Sequence, residues 1–127
     1  MRTHLTVALS MLAGAAIGAV AVQGLHAQAK PPVYQITEID PANLDTYVKD
    51  YVPRAQAVIK AAGGRLMAAG HATAVDGEAP KPRVTVTAWD SSEKFQAYRN
   101  SAAFKELLPI RDKLAKSRSF TVEAVSQ

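Results

Sequence analysis

Residues 83–89 read Arg-Val-Thr-Val-Thr-Ala-Trp and carry the clearest strand signal in the chain. Two sets of side chains recur with the two-residue period of a β-strand and point to opposite faces: Val84, Val86 and Ala88 on one, and Thr85, Thr87 and Trp89 on the other. We assign the second set to the face of the sheet that helices leave open. Its mixed apolar and polar surface would suit a second sheet, and a homodimer follows from this assignment.

Helical signals follow this strand toward the C-terminus. Asp90-Ser91-Ser92-Glu93 resembles a capping box, in which Asp90 accepts backbone N–H bonds and the glutamate reaches back. Apolar residues then recur at helical spacing, with an interruption at Asn100-Ser101 and a disturbance of the hydrogen-bond ladder at Pro109. Residues 120–124 alternate again and predict a final strand.

A strand and a helix are predicted on the N-terminal side. Residues 33–39 are rich in β-branched and aromatic side chains, which favour a strand. Asp40 can cap the following helix and Pro41 can occupy its first position. Pro53 falls inside the helical pattern and predicts a break or kink just before it. Gly63-Gly64 ends the helix.

A further strand is predicted over residues 65–75, with Gly70 as a bulge or a point of close approach, before the turn at residues 76–82. The order of elements is therefore β-α-β-β-α-β. This order predicts an α+β protein of ferredoxin-like topology, with one antiparallel sheet and both helices on the same face.

The first 29 residues have the layout of an export signal. One arginine is followed by Leu5 to Val22, a run without charged side chains, and Ala27-Gln28-Ala29 suits a signal peptidase. We therefore expect residues 1–29 to be a signal peptide cleaved near Ala29, and residues 30–127 to be a single exported domain, periplasmic or secreted. We expect the chain to contact the membrane only through this segment, before it is cleaved. An uncleaved anchor is the alternative, because 18 uncharged residues approach the roughly 20 that span a bilayer.

Composition excludes several classes of function. The chain has no cysteine, so disulfides and thiolate chemistry are excluded and the core must stabilise the fold. Residues 30–127 hold 14 basic and 11 acidic side chains, 15 less Arg2 against 11, and these alternate along the chain. Nothing in that pattern indicates a nucleic-acid surface.

Several motifs resemble those of the DUF1330 family of uncharacterised proteins. They are Asp40-Pro41, Gly63-Gly64-Arg65, Arg83, and the stretch Asn-Ser-Ala-Ala-Phe-Lys-Glu-Leu-Leu-Pro-Ile-Arg at residues 100–111. The resemblance extends over residues 33–125. It implies a dimeric α/β barrel, in which two ferredoxin-like sheets pack face to face, a fold shared with small monooxygenases, isomerases and haem-handling proteins. That likeness implies none of those activities for this chain.

A few side chains are candidates for a ligand site. Arg111 lies on the apolar stripe of the last helix and could bind a carboxylate or phosphate bidentately. Such side chains also extend along apolar surfaces to place their charge in solvent. Tyr34, Tyr47, Trp89 and Tyr98 could line a cleft with polar tips, although aromatic residues at these spacings also fill cores.

His71 is the remaining candidate and the only histidine after residue 29. It could act as a general base or haem ligand, or lie on the surface without a role. With no second histidine there and no cysteine, we expect no metal site and no cofactor.

Two functions fit these residues. The first is a dimeric module that binds a small organic or anionic molecule in a cleft between helices and sheet. The second is a cofactor-free enzyme, similar to a monooxygenase or isomerase, in which His71 or a tyrosine moves a proton while Arg111 stabilises the substrate anion.

Overall fold

The computed structural model describes residues 30–126. The predicted signal segment, residues 1–29, lies outside the described residues, so the prediction of export stays a prediction. No helix within residues 30–126 combines the length and the apolar character needed to span a membrane.

Four strands and four helices form the described chain. They are β1 (Val33–Pro41), α1 (Leu44–Asp50), α2 (Val52–Ala61), β2 (Arg65–His71), β3 (Arg83–Trp89), α3 (Ser92–Asn100), α4 (Ala102–Leu114) and β4 (Ala115–Glu123). The strands form one sheet in the order β2-β3-β1-β4, and every neighbouring pair is antiparallel. This arrangement confirms the ferredoxin-like prediction, with each predicted helix divided into two.

The first predicted helix begins later than expected and breaks where expected. Asp40 and Pro41 belong to β1, and the cap of α1 is Asn43, whose side chain accepts a 3.0 Å hydrogen bond from the Thr46 N–H group. The prediction that Asp40 caps this helix is therefore wrong. Tyr51 separates α1 from α2, and Pro53 lies in the first turn of α2, where no internal donor is lost.

Serine side chains cap both helices of the second half. Ser91, not Asp90, accepts from the Lys94 N–H group at 3.2 Å, so the predicted capping box is shifted by one residue. Asp90 instead forms a 2.7 Å ion pair with Arg65. Ser101 caps α4, which confirms the interruption predicted there, and α4 continues through Pro109.

The predicted strand after Gly64 is shorter than expected, because β2 ends at His71. Its irregularity lies between Leu66 and Ala68, and Gly70 pairs regularly with Val84, so the bulge predicted at Gly70 is wrong. The bounds of β3 agree with the prediction.

The two faces of the sheet are opposite to our assignment. Thr85 pairs with Thr37 and Thr87 pairs with Gln35, and directly paired residues share a face. All four line a cavity together with helix residues such as Tyr47. The set that contains the threonines and Trp89 therefore faces the helices, and the open face carries the valines of β3. The set with the valines is wholly apolar on β3, and it nevertheless lies on the face without helices.

Two hydrophobic clusters lie between the helices and the sheet. The first, near the start of α1, contains Ile39, Tyr47, Tyr51, Ala55, Leu107 and Ala115. The second, near the start of α3, contains Val33, Trp89, Phe95, Tyr98 and Phe104. The core is therefore divided, and the polar pairs of β1 and β3 lie between its two parts.

Gly64 fits against the most buried side chain of the second cluster. A Cβ atom at this position would lie 2.6 Å from Ile59 Cγ2 and 2.8 Å from Trp89 Cζ2. Trp89 is fully buried and cannot move away into solvent. The turn after α2 can approach the sheet this closely because residue 64 has no side chain.

We therefore expect Gly64→Ala to destabilise the protein by about 1–3 kcal/mol, the usual cost of overpacking a core. Chemical denaturation of the purified domain measures this change. Gly70→Ala is the matched control, since a Cβ atom there meets nothing within 4 Å, and its effect should stay within about 1 kcal/mol. Equal effects of the two substitutions would contradict the role of close approach.

Candidate functional site

A cavity of about 70 Å³ lies between the two hydrophobic clusters. β1 and β3 form its floor, and residues of α1, α2, α3 and α4 form its walls and roof. Its lining takes Ile39, Tyr47 and Tyr51 from the first cluster and Tyr98 and Phe104 from the second. A cavity of about 150 Å³ holds benzene, so this one in its present form suits only a few heavy atoms.

The floor of the cavity is polar where a core would ordinarily be apolar. Gln35, Thr37, Thr85 and Thr87 project from the middle of β1 and β3 toward the helices. Gln35 Oε1 accepts a 3.1 Å hydrogen bond from Trp89 Nε1. The indole therefore fixes the orientation of the amide, and its ring stacks on Tyr98 with 4.8 Å between ring centroids.

Three tyrosines contribute to the walls, and burial changes their ionisation. Burial raises the pKa of Tyr47 to about 12, and the nearby Tyr51 adds to this rise, whereas the guanidinium groups of Arg83 and Arg111 oppose it. Burial likewise raises the pKa of Tyr51 and of Tyr98. Near neutral pH these phenols are protonated, so they can donate hydrogen bonds to a ligand.

Three arginines line the same cavity, and no aspartate or glutamate does. Arg83 Nε is buried and has no hydrogen-bond partner among the described residues. Arg111 Nε and Nη2 each donate to Asp112 Oδ1 at 3.2 Å. Arg99 places its guanidinium carbon 4.5 Å from the centre of the Phe104 ring. The cavity therefore combines aromatic walls with an excess of positive charge.

The cavity continues toward the edge of the sheet. Gln56, Ile59 and Leu66 line both the cavity and a neighbouring groove of about 300 Å³ beside β2. Leu66 is exposed at this edge. A molecule longer than the closed cavity could therefore extend into the groove.

The structure brings together three of the five predicted ligand residues. Tyr47, Tyr98 and Arg111 line the cavity. Trp89 lies beyond one end of the cavity, on the same face of the sheet, and donates a hydrogen bond to Gln35 of the floor. Tyr34 lies on the open face of the sheet, opposite Ala88 and Val122, and is separated from the cavity by the sheet itself.

His71 lies outside the cavity. It is exposed at the end of β2 and borders a separate surface pocket with Asp40, Leu44 and Arg83. Its position gives no support to a role as the base of a reaction inside the cavity. Within residues 30–126, no three side chains of the kinds that bind metals gather at one place.

Sequence reasoning missed most of the floor and two of the arginines. Arg83, Thr85 and Thr87 alternate on one strand, as do Gln35 and Thr37 on its neighbour. Polar side chains on two adjacent strands that face the helices indicate a cavity. This signal was missed because the two faces of the sheet were assigned the wrong way round. Arg99 and Tyr51 carried no signal, because each lies in an ordinary amphipathic pattern.

The sequence profile of a family described as "Domain of unknown function (DUF1330)" matches residues 32–125. No curated protein matches the sequence.

The fold is similar to solved structures of low sequence identity. A protein of unknown function from Rhodopseudomonas palustris has a TM-score of 0.61 at 15% identity, over 84% of this chain and 93% of the other. SnoaB, a cofactor-independent oxygenase from Streptomyces nogalater, has a TM-score of 0.58 at 12% identity, over 76% of this chain and 96% of the other. HapK from Hahella chejuensis has a TM-score of 0.52 at 14% identity, over 75% of this chain and 94% of the other. These identities establish a shared fold alone.

The raised pKa of Tyr47 predicts a loss of stability at alkaline pH. Between pH 10 and about 12 the unfolded chain loses the phenol proton first, so deprotonation favours unfolding. The free energy of unfolding should fall there by about 1.4 kcal/mol per pH unit for this one phenol. Denaturation at a series of pH values measures the slope.

Tyr47→Phe is the test variant, and it should make that slope shallower. Between pH 7 and 9 the free energies of wild type and variant should differ by a constant, because the phenol is then protonated in both states. An unchanged slope in Tyr47→Phe above pH 10 would refute the assignment to Tyr47.

Proposed function

The chain belongs to the DUF1330 family, whose function is unknown, and we propose that it binds a small organic molecule in the cavity between its helices and its sheet. The observation that carries this proposal is the polar floor of the cavity, formed by Gln35, Thr37, Thr85 and Thr87 beneath aromatic walls. Small-molecule sites in general combine apolar walls with a few placed polar groups.

A purely structural role explains this floor poorly. Gln35 and Thr37 have partners there, Trp89 Nε1 and Ser119 Oγ, but such pairs stabilise a fold by only about 0.5–1.5 kcal/mol each, and apolar side chains of similar size would fill the same space. The chain instead keeps threonines, a glutamine and arginines around an open volume. Departures from ordinary core packing of this kind are typical of functional sites.

A cofactor-free enzyme is the second candidate, and the likeness to SnoaB, a cofactor-independent oxygenase, is its support. The lining of the cavity offers little acid-base chemistry. It contains no histidine, carboxylate or lysine of the described chain, and burial raises the pKa of its tyrosines. General acid-base catalysis works best with a group that titrates near the working pH. Binding without turnover is therefore the function favoured here.

We also propose that two copies of the chain pair through the open face of the sheet. Two cross-strand rows on this face are apolar, one with Ala88, Tyr34 and Val122 and the other with Val86, Ile36 and Phe120. Tyr34, Phe120 and Val122 are 38%, 43% and 49% exposed, so the described chain leaves much of them uncovered. An exposed apolar surface of this extent is typical of an interface.

A polar network borders that apolar surface. Glu38 accepts hydrogen bonds from the Lys81 N–H group at 3.1 Å and from Arg118 Nε at 2.7 Å, and the two contacts lower the pKa of Glu38 in that order of importance. The network ties the loop before β3 to the sheet. It would form the polar rim of an interface whose centre is apolar.

Filling the cavity tests the proposed binding function. Ala55→Leu adds three carbon atoms to a residue that lines the cavity, so it should remove binding or weaken it at least tenfold. Mass spectrometry of molecules retained through native purification identifies the ligand, and a titration of the stripped protein gives its affinity. Ala57→Leu, on the exposed side of the same helix, is the matched control and should bind normally. Equal binding by both variants would place the ligand elsewhere.

Charge on the open face tests the homodimer. Phe120→Glu should convert a dimer at micromolar concentration into a monomer, because pairing would bury the new carboxylate in an apolar interface. Light scattering after size exclusion measures the mass. Val48→Glu, an exposed apolar position on α1, should leave the mass unchanged. A wild-type protein that is monomeric under these conditions would rule out the pairing.

A further inference from the structure

We infer that the ligand of this cavity is an organic carboxylate, and that Arg83 and Arg111 hold its carboxylate group at one end of the cavity. This inference rests on the proposed function and goes further, because it names the chemical class of the ligand and the residues that select it.

The charge of the lining is the first argument. The cavity is bounded by Arg83, Arg99 and Arg111, without any carboxylate among its lining residues. Asp112 is the only carboxylate paired with one of them in the described chain, and its side chain is 65% exposed beside Arg111. The three arginines are half-buried, and cations that are removed from water are ordinarily paired with anions, so a bound anion would complete this site.

The second argument is the orphaned donor of Arg83. Its Nε atom is buried and makes no hydrogen bond, although buried polar groups are nearly always satisfied. Arg83 pairs with Ile39 on the floor side and borders the cavity. The atom is closed to a water-sized molecule. A turn of the Arg83 side chain toward the cavity would bring this donor to an oxygen of a bound carboxylate, in the charge-assisted geometry that guanidinium groups favour.

Arg111 faces the same end of the cavity. Ile110 and Leu114, its neighbours on α4, pack against the first hydrophobic cluster, which contains Tyr47 and also Ile39, the strand partner of Arg83. Asp112 engages Nε and Nη2 of Arg111, and a guanidinium group has five donors. Donors of Arg111 thus remain for a ligand, and the adjacent Tyr47 hydroxyl can add another.

The other end of the cavity is more apolar, and Arg99 reaches it with its guanidinium group held over the Phe104 ring. Arg83 and Thr87 are four residues apart on β3, or roughly 13 Å at the ordinary rise of a strand. Around Thr87 the cavity is bounded by Leu66, its partner on β2, and by Ile59 and Tyr98, and it leads into the groove beside β2. A carboxylate with an apolar body that extends toward the groove suits this arrangement, whereas inorganic phosphate would leave the more apolar end empty.

Matched pairs of small molecules test this selectivity. The probes are butyrate with 1-butanol and benzoate with benzyl alcohol, which differ within each pair chiefly in the anionic group. Trp89 is the only tryptophan of the chain and stacks on Tyr98, a lining residue, so its fluorescence reports occupancy. We expect the carboxylate of at least one pair to bind at least tenfold more tightly than its alcohol.

Substitution of the arginines tests the assignment of residues. Arg83→Gln and Arg111→Gln should each weaken carboxylate binding about tenfold or more and leave binding of the alcohol unchanged. Arg83→Lys retains the charge but removes the Nε donor, so it should also lose affinity. Arg54→Gln, on the exposed side of α2, is the control and should bind as wild type does. Thermal unfolding of each variant confirms that it is folded.

Three outcomes would overturn the inference. If each alcohol binds as tightly as its carboxylate, the cavity binds small molecules without selecting for negative charge. The inference about carboxylates is then wrong, and the proposed binding function still holds. If the carboxylates bind tightly but all arginine variants retain wild-type affinity, the assigned residues are wrong. If no probe binds, and Ala55→Leu also leaves retention of any co-purified molecule unchanged, both the inference and the proposed function fail.

Discussion

The arrangement of this protein depends on four polar side chains that the sheet directs at its own helices. Gln35 and Thr37 on β1 lie directly opposite Thr87 and Thr85 on β3, in the middle of the surface that α1 to α4 cover. Gln35 bonds to Trp89 and Thr37 to Ser119, so these groups find polar partners within the sheet. The apolar side chains gather at either side, and the cavity lies between them.

Each cluster supports one side of that cavity. At one end Tyr47 and Tyr51 pack with 5.2 Å between ring centroids, because residues four apart lie on the same side of a helical turn. At the other end Trp89 lies under Gly64, stacks on Tyr98 and donates to Gln35. The same indole thus packs the core and orients a polar group of the cavity floor, so that packing and site are coupled.

The polar floor also leaves the opposite face of the sheet apolar. In a monomer one expects the apolar side of a sheet beneath the helices and the polar side in water. Here Ile36, Val86 and Phe120 form a row on the side that the helices leave open. This distribution is expected for a protein that binds a ligand on the helix side of its sheet and pairs with a second sheet on the open side.

Sequence alone determined the order of the elements, and with it the topology. Period-two alternation marked β3, Pro53 marked the break between α1 and α2, and Asn100-Ser101 marked the break between α3 and α4, because these signals are local. The sequence also indicates Tyr47, Tyr98 and Arg111 as candidate ligand residues, because aromatic rings with polar tips and a cation on an apolar stripe are typical of a binding site. All three line the cavity. The caps were misplaced by one to three residues, because several neighbouring Asp, Asn and Ser side chains can each fill that position.

The tertiary structure decided which face of the sheet meets the helices. A strand period of two divides side chains into two sets but does not say which set is covered. On β3 the covered set is the one with the threonines, and the wholly apolar set lies on the open face. Once the threonines are placed beneath the helices, Arg83 joins the cavity and Tyr34 leaves it. His71 pairs with Arg83 and shares its face, but it lies at the end of the edge strand β2, outside the cavity. Which residues line the cavity depends on the pairing of strands that are far apart in the chain, and a local sequence pattern does not contain this information.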